Sequence, residues 1–148
     1  MPALPEVTIE TIRIVKVGIS EAFAAWTDPN ILQQWWGPHG FTNTFTEYNL
    51  SPGGKWTFTM HGPNGQNYLN ECNFIAIEKP VTVAWHHHSA PYFQGVATFL
   101  EVNGKETQII YQMIFKSEAL CSQLRNFILE KNEENMDRLE AVLAGMRA

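Results

Sequence analysis

The sequence predicts an α+β fold: a curved antiparallel sheet wrapped around one long C-terminal helix, with two short helices after the first strand. Three observations carry this expectation. Within residues 117–144, Leu124, Phe127, Ile128, Met136, Leu139, Val142 and Leu143 recur at spacings of three and four. Glu130, Lys131, Glu133, Glu134, Asp137, Arg138 and Glu140 mostly fill the positions between, so this is an amphipathic helix that needs an apolar surface to lie on. Ahead of it, most of the chain reads as runs of aromatic and β-branched residues separated by turn residues. The connections between those runs are short, as an antiparallel meander allows.

The elements follow in order. Val7, Ile9, Ile12, Ile14 and Val17 mark a first strand from Glu6 to Val17, with a bulge or a late start expected where the alternation slips between Ile9 and Ile12. Ser20 is read as the N-cap of a short helix whose inner face is Ala22, Phe23 and Trp26. A second helix follows at once, capped by Asp28, with Pro29 at its first position and Gly37-Pro38 ending it. Strands are then expected over 41–50, 55–61, 68–78, 81–88, 94–102 and 105–115. Ser51-Pro52-Gly53-Gly54, Gly62-Pro63-Asn64-Gly65, Lys79-Pro80 and Asn103-Gly104 supply the turns. The long helix has a gap in its apolar stripe, because the inward positions after Ile128 are Asn132 and Asn135. A helix held off an aromatic sheet at that gap would leave a lined cavity.

Composition narrows the function classes. The 148 residues are read as one domain over 1–148, and 45% hydrophobic content excludes a disordered chain. A net charge of −5 without a Lys/Arg cluster argues against nucleic acid. No apolar run is long enough to span a bilayer, so no membrane partner is expected. Met1-Pro2-Ala3-Leu4-Pro5 has neither a basic region nor an apolar core, which points to a cytoplasmic protein with Cys72 and Cys121 as reduced thiols.

The runs Ala25-Trp26-Thr27-Asp28-Pro29, Trp35-Trp36-Gly37-Pro38, Pro52-Gly53-Gly54 and Met60 with Gly62-Pro63-Asn64-Gly65 resemble the heat-shock-protein ATPase activator homologue family. That family belongs to the START-like, birch-pollen-allergen-like superfamily, also called SRPBCC. The resemblance covers nearly the whole chain and implies the helix-grip fold, with a cavity between helix and sheet. It implies one of three activities: binding of an apolar molecule, cyclisation or dehydration of a polyketide, or stimulation of a chaperone ATPase. The chain departs from the family pattern at Ala76, where an acidic residue is common, and at Cys72, where glycine is.

The candidate site is built on the inner sheet face. Trp56, Phe58 and Met60 are paired with Tyr68, Cys72 and Phe74 in a register that requires an odd-length loop around Asn64. Trp35, Phe41, Trp85, Tyr111, Met113, Ile128 and Met136 extend the apolar lining, with His87, Tyr68, Tyr111, Asn132 and Asn135 as polar handles. Most of the aromatic residues are core on any reading, and only part of them lines a pocket. For Asn132 and Asn135, partial exposure at a helix edge competes with a cavity role.

His86 and His88 share a strand face on which Glu71 could join them, but no Cys/His spacing supports a metal site, and none is expected. Cys72 and His87 would be cross-strand neighbours, without an orienting third group or an oxyanion hole, so no catalytic residue is assigned. No phosphate loop, zinc-protease helix or nucleophile elbow occurs, and no cofactor is expected. The sequence thus points to a binding domain for a small apolar or aromatic molecule, released by movement of segments 35–41 and 89–93. The alternatives are a cyclase-like enzyme using His87 with Tyr68 or Tyr111, and a chaperone-directed interaction module that would show a large exposed apolar patch. A homodimer through the outer sheet face or an edge strand is compatible with the pattern.

Overall fold

The computed structural model describes residues 7–147. The chain runs β1 (Thr8–Val15), α1 (Ile19–Thr27), α2 (Pro29–Trp35), β2 (Thr42–Tyr48), β3 (Lys55–His61), β4 (Asn67–Glu78), β5 (Thr82–His87), β6 (Phe93–Asn103), β7 (Glu106–Phe115) and α3 (Glu118–Arg147). Residues 1–5, read above for targeting signals, and Glu6, the expected start of the first strand, lie outside the described residues. The strands form one seven-stranded antiparallel sheet in the order β1-β7-β6-β5-β4-β3-β2. β2 to β7 are thus a meander, and β1 closes onto the last strand. α3 lies across the sheet, chiefly over β1, and touches α2 and β7. This is the expected α+β, helix-grip arrangement. No helix among the described residues is long and apolar enough to cross a membrane.

The bulge allowed for in β1 does not form: Thr8 to Val15 pair with Ile114 to Thr107 without a shift. The apolar alternation slips because Thr11 and Arg13 take positions on the helix side, while Ile12 and Ile14 face outward at 47% and 48% exposure. Arg13 is there to meet α3, reaching Glu133 at 2.6 Å, Asp137 at 3.0 Å and Glu140 at 2.6 Å. Thr11 meets Asn132 Nδ2 at 3.4 Å. An apolar count alone misreads an edge strand whose inner face carries polar contacts.

Gly18, not Ser20, is the N-cap of α1, and no side chain caps that end. α2 follows its signals. The Asp28 side chain accepts from Asn30 N at 3.0 Å, Pro29 occupies the first turn, and Gly37 takes φ 98° just past the end. The β6–β7 turn is Gly104-Lys105, with Asn103 and Glu106 paired, rather than Asn103-Gly104. The Asn103 side chain accepts from Lys105 N at 2.8 Å and so holds the turn from within the strand end.

The β3–β4 register is the expected one. Trp56 pairs with Cys72, Phe58 with Asn70, Met60 with Tyr68 and His61 with Asn67, leaving the odd-length loop 62–66. In β2, a bulge between Phe45 and Glu47 keeps Phe45 and Tyr48 on one face, where their rings stack at 5.8 Å. Ser117 Oγ accepts from Leu120 N at 3.1 Å and caps α3. Phe127, expected on the inner stripe, is 61% exposed, whereas Cys121 is fully buried. The inward row therefore runs Cys121, Ile128, Asn132, Asn135, Met136, Leu139 and Leu143.

Candidate functional site

A cavity of about 450 Å³ lies between α3 and the inner sheet face. α3 contributes Phe127, Ile128, Lys131, Asn132 and Asn135; β3 contributes Trp56, Phe58 and Met60. Tyr68, Asn70 and Cys72 come from β4, Trp85 and His87 from β5, and Tyr111 and Met113 from β7. The segment after α2 supplies Trp36, Gly37, Pro38 and Phe41, and the segment between β5 and β6 supplies Ala90 and Pro91, with Phe93 beside them. The exposed members of this set, Tyr68, Ala90, Pro91 and Phe127, mark the mouth.

Every residue expected to bind a ligand lines this cavity except Trp35, Phe74 and Met136, which are core. Trp35 turns toward α1, its ring 4.9 Å from that of Trp26 and its Nε1 donating to Ala25 O at 3.0 Å. Phe74 lies behind Trp56, parallel to it at 5.9 Å, with its other contact to Tyr48. Met136 is 1% exposed, one residue round the helix from Asn135. Lining residues outside the expected ligand-binding set are Trp36, Gly37, Pro38, Asn70, Ala90, Pro91, Phe93, Phe127 and Lys131. Asn70 was legible, since it sits between Tyr68 and Cys72 on the same alternation. Trp36 was not, because it leaves the α2 axis as its C-cap, at φ −65° and ψ 132°.

Two glycines and an arginine set the walls. A Cβ at Gly95, which pairs with Trp85, would overlap the Trp85 indole, so that ring reaches the cavity only because β6 has no side chain there. A Cβ at Gly37 would come within 2.7 Å of Met60 Cε. Arg138 of α3 donates to Trp36 O at 3.1 Å, Gly37 O at 2.8 Å, Pro38 O at 3.1 Å and Gln34 O at 3.1 Å. One guanidinium thus meets a last-turn carbonyl of α2, that of its C-cap and the two beyond it, and fixes the rim.

The polar wall is centred on His87. Its Nδ1 lies 2.9 Å from Pro91 O, so that nitrogen carries a proton. Its Nε2 lies 2.6 Å from Asn70 Oδ1, while Asn70 Nδ2 donates to Tyr68 O at 3.0 Å. The charged ring satisfies both contacts; the neutral ring requires the Asn70 amide to turn over. Burial lowers the His87 pKa from its ordinary value, with the Pro91 and Ser89 backbone bonds opposing and His88 adding a smaller lowering.

Cys72 pairs with His87 across the strands, but burial pushes its thiol up, so it is a protonated, unreactive thiol at neutral pH. Burial likewise raises the Tyr111 hydroxyl. Asn132 and Asn135 are both buried, at 8% and 6%, which resolves the helix-edge alternative toward the cavity wall. Two polar atoms of wall residues, Trp56 Nε1 and Asn135 Oδ1, are buried without a hydrogen-bond partner. Among the described residues no three His, Cys, Asp or Glu side chains converge as metal ligands would. His86 and His88 are exposed on the outer face.

The fold has close counterparts. A protein from Nitrosomonas europaea superposes with TM-score 0.88 at 16% identity, covering 98% of this chain and 99% of that one. One from Mycobacterium smegmatis gives TM-score 0.84 at 22% identity, covering 99% and 96%. DynU16, a protein of the dynemicin biosynthetic locus, gives TM-score 0.68 at 15% identity, covering 95% of this chain and 48% of its own. No curated protein matches the sequence. The family described as Activator of Hsp90 ATPase homolog 1-like protein matches residues 16–144.

Proposed function

The chain belongs to the Activator of Hsp90 ATPase homolog 1-like family, and from that premise we propose that it binds a small, largely apolar or aromatic molecule between α3 and the sheet. The observation that carries this reading is the hollow of about 450 Å³ at the point where α3 presents Asn132 and Asn135 instead of large apolar side chains. Its size falls in the usual range for small-molecule sites, and its walls have the usual composition of apolar surface with a few polar groups. A ligand supplying partners for Trp56 Nε1 and Asn135 Oδ1 would relieve two buried groups that each cost about 1–3 kcal/mol unpaired.

The test is a thermal-shift and tryptophan-fluorescence screen of bicyclic aromatic compounds, using Trp36, Trp56 and Trp85 in the wall as reporters. Saturable quenching with a matching rise in melting temperature is expected from wild type, and neither from Ile128→Trp, which fills the hollow. A well-folded wild type that responds to no compound would sink the reading.

The catalytic alternative has less support. Both His87 nitrogens already face protein oxygens, and the Tyr68 hydroxyl donates to Gln66 Oε1 at 2.8 Å. For the chaperone-directed alternative the outer face offers Ile12, Ile14 and Leu100, all exposed, but Gln108 stands between Ile14 and Leu100 in the ladder.

A further inference from the structure

The cavity wall has a charge balance opposite to that of the whole chain. The protein carries fifteen Asp and Glu against ten Lys and Arg. Yet among the described residues no carboxylate lines the cavity, and the one lysine in its wall, Lys131, stands on α3 beside exposed Phe127 at the mouth. The Lys131 amine lies 5.6 Å from the Phe127 ring centre. Its ionic contact is with Glu134 Oε2, outside the wall, at 3.3 Å. The Glu134 carboxylate is shared, because Oε1 accepts from His39 N at 3.1 Å. An ammonium has three donors, so Lys131 keeps capacity for a second anion.

Deeper in the wall, further donors are under-used. Trp56 Nε1 has no partner, and Asn132 Nδ2 reaches only Thr11 Oγ1 at 3.4 Å and Met113 Sδ at 3.5 Å. Asn135 Oδ1 is the unpaired acceptor in the wall, and it suits a neutral donor. Behind the mouth the surface is aromatic: Trp36 lies 5.5 Å from Trp56 and 5.9 Å from Trp85, ring centre to ring centre. A cation at the wet end and flat rings at the dry end select a molecule with the matching polarity. A carboxylate placed at the mouth keeps its contact with water, so pairing it with Lys131 avoids the desolvation cost that a buried ion pair carries.

We propose that the ligand is an aromatic monocarboxylate, its rings among Trp36, Trp56 and Trp85 and its carboxylate beside Lys131. This rests on the cavity-binding reading above and narrows its ligand class. The experiment is calorimetric titration of the full chain with 2-naphthoate and with its neutral counterpart 2-naphthamide, at low and at high salt. The acid is expected to bind about fivefold more tightly than the amide at low salt, as a partly exposed charge pair allows. That preference should shrink as salt rises. Lys131→Met should bring the acid's affinity down to the amide's, while Lys131→Arg retains the difference; unfolding curves of both variants check that they are folded. An amide that binds as tightly as the acid, or an acid preference that survives Lys131→Met, overturns the carboxylate assignment and leaves cavity binding standing. Absence of binding by either compound overturns both.

Discussion

At His87 two physical demands oppose each other. The oxygens of Pro91 and Asn70 favour a doubly protonated ring, whereas burial favours the neutral one and lowers the pKa. A folded state that holds this proton less tightly than the unfolded chain is stabilised above the ordinary histidine value of about 6.5. That contribution is lost as pH falls below this value through the depressed folded pKa. The urea midpoint should therefore drop between pH 7.5 and pH 5, with a slope from this group of at most about 1.4 kcal/mol per pH unit. His87→Gln should flatten the slope whatever it does to absolute stability, and an unchanged slope would remove His87 as its source. Asn135 presents a second opposition, since Oδ1 is buried with no partner. Asn135→Leu is expected to stabilise the empty protein by about 1 kcal/mol while weakening ligand binding. A less stable variant by denaturant titration would show that the amide serves packing instead. Single residues were the least legible scale in the sequence. Asn132 and Asn135 stood out because they interrupt an apolar stripe, but Lys131 looked like any solvated helix charge until the neighbouring rings were placed.

Among the elements, those with strong local chemistry were legible. α2 is bounded by Asp28-Pro29 and Gly37-Pro38, and its limits followed from capping and proline geometry alone. β3 followed from alternation, with Trp56 and Phe58 buried as expected. The bulge allowed for in β1 is absent because its inner positions hold Thr11 and Arg13, residues whose place is set by α3, more than a hundred positions along the chain. The pairing of β5 with β6 was legible only as a meander, and the role of Gly95 beneath Trp85 was not legible at all. Gly95→Ala should displace that indole and cost about 1–3 kcal/mol in denaturant unfolding, as overpacking does. The accompanying change in tryptophan emission and loss of ligand affinity distinguish it from a general loosening; a variant as stable as wild type with unchanged emission would show the indole has room to move.

For the molecule as a whole, the fold class followed from element order and connection lengths, and the hollow from one gap in one helical stripe. Its outline did not, because the rim is built by loops whose position depends on Arg138 reaching back to Trp36, Gly37 and Pro38. A ligand present at one hundred times its dissociation constant should add about 2.7 kcal/mol to global stability. For a chain of this length that corresponds to roughly 8 °C in melting temperature, readable by scanning calorimetry. A smaller shift at proven saturation would mean that the unfolded chain also takes up the compound. The sheet order carries one more consequence. Thr8 pairs with Ile114 and Val15 with Thr107, so among the described strands β1 has no ladder partner until β7 has been made. During synthesis the meander can assemble hairpin by hairpin, but β1 must wait for β7, and the roof helix α3, which follows β7 in the chain, comes later still.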